Sequence, residues 1–240
     1  MSHSYLRIIE AESYEKMSII AGSIIAGQVL LKPDCVLGLA TGSSPIGAYQ
    51  ELVHQYQRGI LDFSRVRTVN LDEYVGLGAD HLQSYRYFMN QNLFDHVNID
   101  KANTFLPDGT APDPEAEGDR YEAFINTLGG VDLQVLGIGR NGHIGFNEPS
   151  DHFPRFVHPV QLTQSTIQAN SRLFDRIEDV PTQAITMGIG TIMKAKRILL
   201  VAGEEKKDII HRALYDIITP EVPASVLQLH HDVTVITCKR

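Results

Sequence analysis

Short apolar runs recur along this chain at 6–9, 35–39, 66–71, 133–138, 184–187, 197–202 and 233–237, with helical periodicity filling the gaps. Runs this short and this apolar, flanked by turn residues, are the mark of strands buried on both faces. Met17, Ile20, Ile24 and Leu31 form a helical stripe after Ser13, and 84–94, 114–128 and 204–214 are further helices. Alternating strands and helices restrict the fold to an α/β class: a doubly wound, mostly parallel sheet with helices on both faces, Rossmann-like in outline. With 240 residues and no internal repeat, the chain reads as a single α/β catalytic domain spanning 1–240. The stretch 108–118, rich in Pro, Gly and acids, reads as a surface loop feeding a helix rather than a domain boundary.

Charge excludes some partners. A net charge of -8 argues against broad nucleic-acid binding, which needs a cationic surface, but leaves room for a local basic pocket. Cys35 and Cys238 are the only cysteines and make no disulfide framework; with residues 1–10 showing no basic-then-apolar signal pattern, they point to a reducing, cytoplasmic setting. The most apolar stretch, 17–31, is broken by Ser18, Gly22, Ser23, Gly27 and Gln28 and is too short and polar to span a bilayer.

Three strand ends carry chemistry. After 37–39 comes Thr41-Gly42-Ser43-Ser44-Pro45, with Ser44 read as an N-cap and Pro45 as the first helical residue. A helix start offers unpaired N–H groups and a positive dipole end, suited to phosphate. The lysine of a nucleotide-binding P-loop is missing, so a phosphomonoester fits better than a nucleoside triphosphate. After 66–71 come Asp72 and Glu73, two acids at the carboxyl end of a strand, where parallel sheets bind ligands. Alternation in an extended segment turns only one of the pair toward a pocket.

The third strand end is 136–149, where an apolar strand runs into a glycine-rich turn bearing Asn141, His143 and Glu148. Gly137-x-Gly139-x-x-Gly142 matches the dinucleotide fingerprint as a string. The turn runs on to Pro149, however, and no acid-tipped strand follows, so NAD is rejected and no cofactor is expected. His143 with Glu148 fits a general acid–base and the carboxylate that tunes it. Arg172 and Lys206 (or Lys207) are candidate cations for an anionic ligand; a lysine near a helix start goes against the dipole unless an anion sits there. Ten histidines include no pair at ligand spacing, and adjacent His230 and His231 diverge, so no metal site is expected.

Taken together, L-G-L-A-T-G-S-S-P (37–45), N-L-D-E-Y (70–74), S-Y-R-Y-F-M (84–89), G-R-N-G-H-I-G-F-N-E-P (139–149), A-N-S-R (169–172), G-I-G-T-I-M (188–193) and P-A-S-V-L-Q-L-H (223–230) resemble the glucosamine-6-phosphate deaminases over nearly the whole chain. The resemblance implies the doubly wound fold and an amino-sugar catabolic activity: D-glucosamine 6-phosphate and water become D-fructose 6-phosphate and ammonia. It implies that His143 assists ring opening, that Asp72 carries the proton from C2 to C1, and that Glu148 orients His143. Asn141 stands where some relatives have Asp and is left to orient. Phosphate falls to Thr41, Gly42, Ser43, Ser44, Arg172 and Lys206, with Glu73 supporting from behind. The runner-up on the same fold is 6-phosphogluconolactonase, where a Thr-Ala-Ser-type run follows the Gly-His in place of Ile144-Gly145-Phe146-Asn147. A non-catalytic phosphosugar sensor would be expected to lack Asp72 or His143. Longer relatives are activated by N-acetylglucosamine 6-phosphate as hexamers. With His158 and Val160 in the corresponding region, this chain is expected to lack that activation and to be a monomer or small homo-oligomer, binding no membrane.

Overall fold

A computed structural model describes residues 6–238. In chain order the elements are β1 (Leu6–Ala11), α1 (Tyr14–Leu31), β2 (Val36–Leu39), α2 (Ile46–Gln57), β3 (Arg67–Asn70), β4 (Asp72–Tyr74), α3 (Tyr85–Asn92), β5 (Thr104–Phe105), α4 (Pro114–Thr127), β6 (Leu133–Leu136), β7 (His158–Gln161), α5 (Gln164–Asn170), β8 (Gln183–Thr186), α6 (Ile189–Met193), β9 (Ile198–Ala202), α7 (Lys207–Tyr215) and β10 (Val233–Cys238). Seven strands form a parallel sheet in the order β1-β10-β9-β6-β2-β3-β5. From β2 the chain steps out to β3 and β5, then returns to β6 and runs the other way through β9 and β10. The reversal puts a topological switch point between β2 and β6, and the crevice beyond their carboxyl ends is where such sheets bind ligands.

Strand interiors explain the core. Leu37 and Leu39 on β2, Val69 on β3, Val135 on β6, Leu199 and Val201 on β9 and Val235 on β10 are all buried, as the continuous apolar runs require. Edge strand β1 departs from the expectation of burial on both faces, since half its positions lie open to solvent. Ser13 and Ser84 cap α1 and α3 by accepting from Lys16 N and Tyr87 N, and Asp113 caps α4 ahead of Pro114. Ser44 does not cap α2: Pro45 holds the cap position, the helix starts at Ile46, and no side chain caps it. The Tyr14 hydroxyl, reaching over from α1, instead accepts from Gly47 N and donates to Ser43 O.

The run 184–187 does not join the parallel sheet. Gln183–Thr186 is the middle strand of a separate antiparallel sheet, β4-β8-β7, in which Asp72 and His158 each lie opposite Thr186. A small second core of Tyr74, Phe146, Leu162, Ile167, Val180 and Ala184 fills in beneath it. Among the described residues no helix is long and apolar enough to cross a membrane.

At the opposite end of the sheet, Asp132 is buried just ahead of β6. It accepts from Lys32 Nζ at 2.8 Å, Lys196 Nζ at 2.8 Å and Val36 N at 2.8 Å, tying the ends of α1 and the β9 approach to β2. Burial raises its proton affinity, but the two ammonium groups and the amide outweigh that and hold the carboxyl below its usual range. Asp132→Ala is expected to cost about 2 kcal/mol in urea unfolding at pH 7, because both lysines remain solvated and screening limits the pair. A depressed carboxylate contributes stability above its unfolded value of about 4. The gap between wild type and variant therefore closes as pH falls below that value.

Candidate active site

The switch-point crevice is built by the segments that follow β2, β3 and β6. Leu71 N donates to Leu39 O and Met187 N to Leu71 O, which leads the chain from the parallel sheet directly into β4 and sets Asp72 at the seam between the two sheets. The segment after β6 folds into a tight loop: Gly142 N donates to Gly139 O, and Gly139 N to His143 O. Gly142 takes φ +89°, a left-handed conformation that favours glycine. Ala224 N braces the loop from behind by donating to Gly142 O.

Within the loop the His143 ring lies flat over Gly139. A Cβ at Gly139 would stand 2.3 Å from the ring's Cε1 and Nε2. His143 Nδ1 is 3.3 Å from Glu148 Oε1, close enough to pair but out of line for a good hydrogen bond. Asn141 spans the loop: its Nδ2 donates to Glu148 Oε2 at 2.5 Å and its Oδ1 accepts from His143 N at 3.2 Å. Thr166 Oγ1 on α5 donates to Glu148 Oε1 at 2.6 Å. Burial pushes the Glu148 carboxyl up, but His143, Thr166 and Asn141 together win and hold it near about 2, so it is ionised across the physiological range. An aspartate at position 141 would face that carboxylate with a second one; the neutral amide holds it without repulsion.

Asp72 is buried, and its Oδ2 lies 3.7 Å from where a Cβ of Gly145 would sit, two residues from His143. Thr186, paired with Asp72 across β4 and β8, also receives a hydrogen bond at Oγ1 from Phe146 N at 3.0 Å, so one residue ties the acid's strand to the histidine's loop. Burial first, and Glu73 second, push the Asp72 carboxyl up to about 8. A group poised there both takes and returns a proton near neutral pH. Glu73 points the other way. It accepts from Tyr74 N, Tyr85 N and Arg86 N at 2.9, 2.9 and 3.0 Å, clamping β4 to the first turn of α3.

The turn after β2 reaches the same crevice through tyrosines. The Tyr85 ring packs on Tyr74 with centroids 4.8 Å apart, and its hydroxyl lies near enough to Thr41 and Asp72 for both to act on its acidity. Tyr74 in turn accepts from Asn170 Nδ2 at 2.8 Å, at the end of α5, and Arg172 stands exposed on the following 3-10 turn, Ser171–Leu173. Gly42 takes φ +93°, and Gly42 and Ser43 are exposed at the tip of the turn, with Ser44 half-buried beside them. Lys206 closes the 3-10 turn Glu204–Lys206 ahead of α7. Burial, together with Arg140 and against Glu205, lowers its proton affinity. Arg140 is a cation the sequence reading passed over; an arginine set between the glycines of the loop was its signal. Thr166, Thr186 and Tyr85 carried no such local signal, because each matters through a partner far away in the chain.

Fold and site define a doubly wound α/β enzyme with acid–base side chains gathered at its switch point. The chain belongs to the family of glucosamine-6-phosphate isomerases and 6-phosphogluconolactonases, whose profile matches residues 23–236. A glucosamine-6-phosphate deaminase of Lachnoclostridium phytofermentans is 58% identical over 234 residues, covering 97% of this chain and 99% of that protein. One from Clostridium perfringens is 53% identical, covering 96% of each. The solved structure of a monomeric glucosamine-6-phosphate deaminase superposes with a TM-score of 0.95 at 46% identity, over 97% of both chains. A 6-phosphogluconolactonase from Trypanosoma cruzi shares the fold, with a TM-score of 0.79, at 20% identity over 100% of this chain and 96% of that one.

Proposed function

We propose that this protein is a glucosamine-6-phosphate deaminase, converting D-glucosamine 6-phosphate and water to D-fructose 6-phosphate and ammonia in amino-sugar breakdown. The observation that carries the reading is the buried Asp72 carboxyl beside the His143 loop. Moving a proton between adjacent carbons needs a base shielded from water with a proton affinity near the working pH. Relatives 53–58% identical over nearly the full length are deaminases, which favours this over lactone hydrolysis.

His143 passes a proton between the ring oxygen and the C1 hydroxyl as the pyranose opens, while ionised Glu148, fixed by Asn141, steadies its imidazole. Asp72 takes the C2 proton and returns it at C1 through an enolamine, while the C1 oxygen gains a proton and the amine loses one, leaving an imine at C2. Water adds there and ammonia departs. The phosphate sits on Thr41, Gly42, Ser43 and Ser44 at the start of α2, with Arg172 and Lys206 supplying charge. Glu73 supports by holding β4 against α3. Residues 1–240 act as one catalytic domain, in the cytoplasm, as a monomer like the structurally similar deaminase. No nucleic acid takes part, since the cations are local and the chain is acidic overall.

An ammonia-release assay on glucosamine 6-phosphate, run beside 6-phosphogluconolactone, tests this reading. Ammonia release is expected; lactone opening alone would overturn it. Arg172→Ala is expected to raise KM for the phosphosugar about 10–100-fold with kcat held within a few-fold, as loss of one charge-assisted phosphate contact predicts. An unchanged KM removes Arg172 from the phosphate site.

A further inference from the structure

Helix α5 joins the two halves of the site. Near its start, Thr163 accepts from Thr166 N, and the Thr166 hydroxyl, itself buried, reaches Glu148 Oε1 at 2.6 Å. That is the same oxygen that stands 3.3 Å from His143 Nδ1. At its far end, Asn170 reaches the Tyr74 hydroxyl, Tyr74 packs on Tyr85, and the next turn carries Arg172. A short hydroxyl-to-carboxylate bond outcompetes the longer approaches of His143 Nδ1 and of Thr163 Oγ1, at 3.4 Å, to the same oxygen. Thr166 therefore decides where Glu148 Oε1 sits and how much of it His143 receives.

We propose that Thr166 is a positioning residue for the relay: its hydroxyl sets the Glu148 oxygen that faces His143, and so couples the proton chemistry to the helix leading to Arg172. The proposal rests on the deaminase reading for its effect on turnover, but not for its effect on His143. His143 is the titratable group facing Glu148, while Asn141, Thr163 and Thr166 are neutral. Without the Thr166 donor, Glu148 Oε1 is free to turn toward His143 Nδ1 and the ring's contact changes.

Thr166→Val and Thr166→Ser, in the full-length protein, separate this from a packing role. Thr166→Val should lower kcat about tenfold while KM stays within twofold, since the phosphate contacts are untouched, and Thr166→Ser should restore kcat. The NMR ring signals of His143 in the free protein, assigned through His143→Gln, should move in Thr166→Val and return in Thr166→Ser. Thr166→Ala gives the same reading should valine disturb α5. Wild-type kcat with unmoved His143 ring signals would overturn the proposal. So would a KM that climbs in step with the loss of kcat, which marks a displaced helix. A wild-type protein inert toward glucosamine 6-phosphate, with the His143 ring signals still moved in the variant, would sink the deaminase reading and leave Thr166's role standing.

Discussion

Asp72→Asn is expected to lose about 10³–10⁴-fold in kcat while becoming harder to unfold. The amide keeps the size of the acid but cannot accept a proton from carbon, so phosphosugar binding should survive and turnover should not. The stability gain follows from burial. Asp72 has its carboxyl pushed up to about 8 by desolvation and by Glu73, whereas in the unfolded chain it titrates near about 4. Between those values the folded protein keeps a proton that the unfolded chain has released. Stability from this group is thus fully present below about pH 4 and falls as pH rises through about 8. Asparagine has no charge to bury, so the variant should gain about 1–3 kcal/mol near pH 8, and less near pH 5. Urea unfolding at the two pH values measures it. Catalysis runs the opposite way: the base must be ionised, so wild-type kcat/KM should climb with pH up to a midpoint near 8. A variant with wild-type kcat would remove Asp72 from the mechanism.

Gly139→Ala is expected to lower kcat about 10²-fold without unfolding the protein. The new methyl would stand 2.3 Å from the His143 ring, so the imidazole must retreat by about 1 Å to reach ordinary contact. The backbone at Gly139 is not in the left-handed region, so the change is steric and falls on the ring rather than on the loop. Leaving its seat over Gly139 also takes Nδ1 off Glu148, and proton transfer suffers on both counts. Circular dichroism and thermal midpoint close to wild type, with kcat reduced, are the expected pair of results; kcat within threefold of wild type would show that the ring position over Gly139 does not matter.

Much of this architecture can be read locally. The apolar runs at 35–39, 66–71, 133–138, 197–202 and 233–237 became neighbours in one parallel sheet, because continuous hydrophobicity over so few residues has few other solutions. The glycine-rich turn after 133–138 announced a loop, and His143, Asn141 and Glu148, within eight residues of one another, had to share it. What stayed hidden depends on pairing across the chain. The Asp72–Tyr74 strand is too short and too acidic to declare itself, and it exists because Gln183–Thr186 lies alongside. The run 184–187 looked like the other buried strands, since burial against a second core leaves the same apolar imprint as burial in the main sheet.

The two acids after β3 show where the division falls. Their order and their place at a strand's end are properties of the sequence. That Glu73 spends itself on three backbone amides of the α3 clamp, while Asp72 is sealed without such partners and keeps its proton to about pH 8, is decided by the elements folded around them. The same holds for Ser44, a good cap by type, whose helix is instead met by a tyrosine from α1. Sequence alone determined which groups were available and the strand tips they would occupy, because local hydrophobic pattern and turn chemistry act over a few residues. Tertiary structure alone determined which of them face each other and which are cut off from water, because burial and hydrogen-bond competition are set by neighbours that the chain brings from a distance.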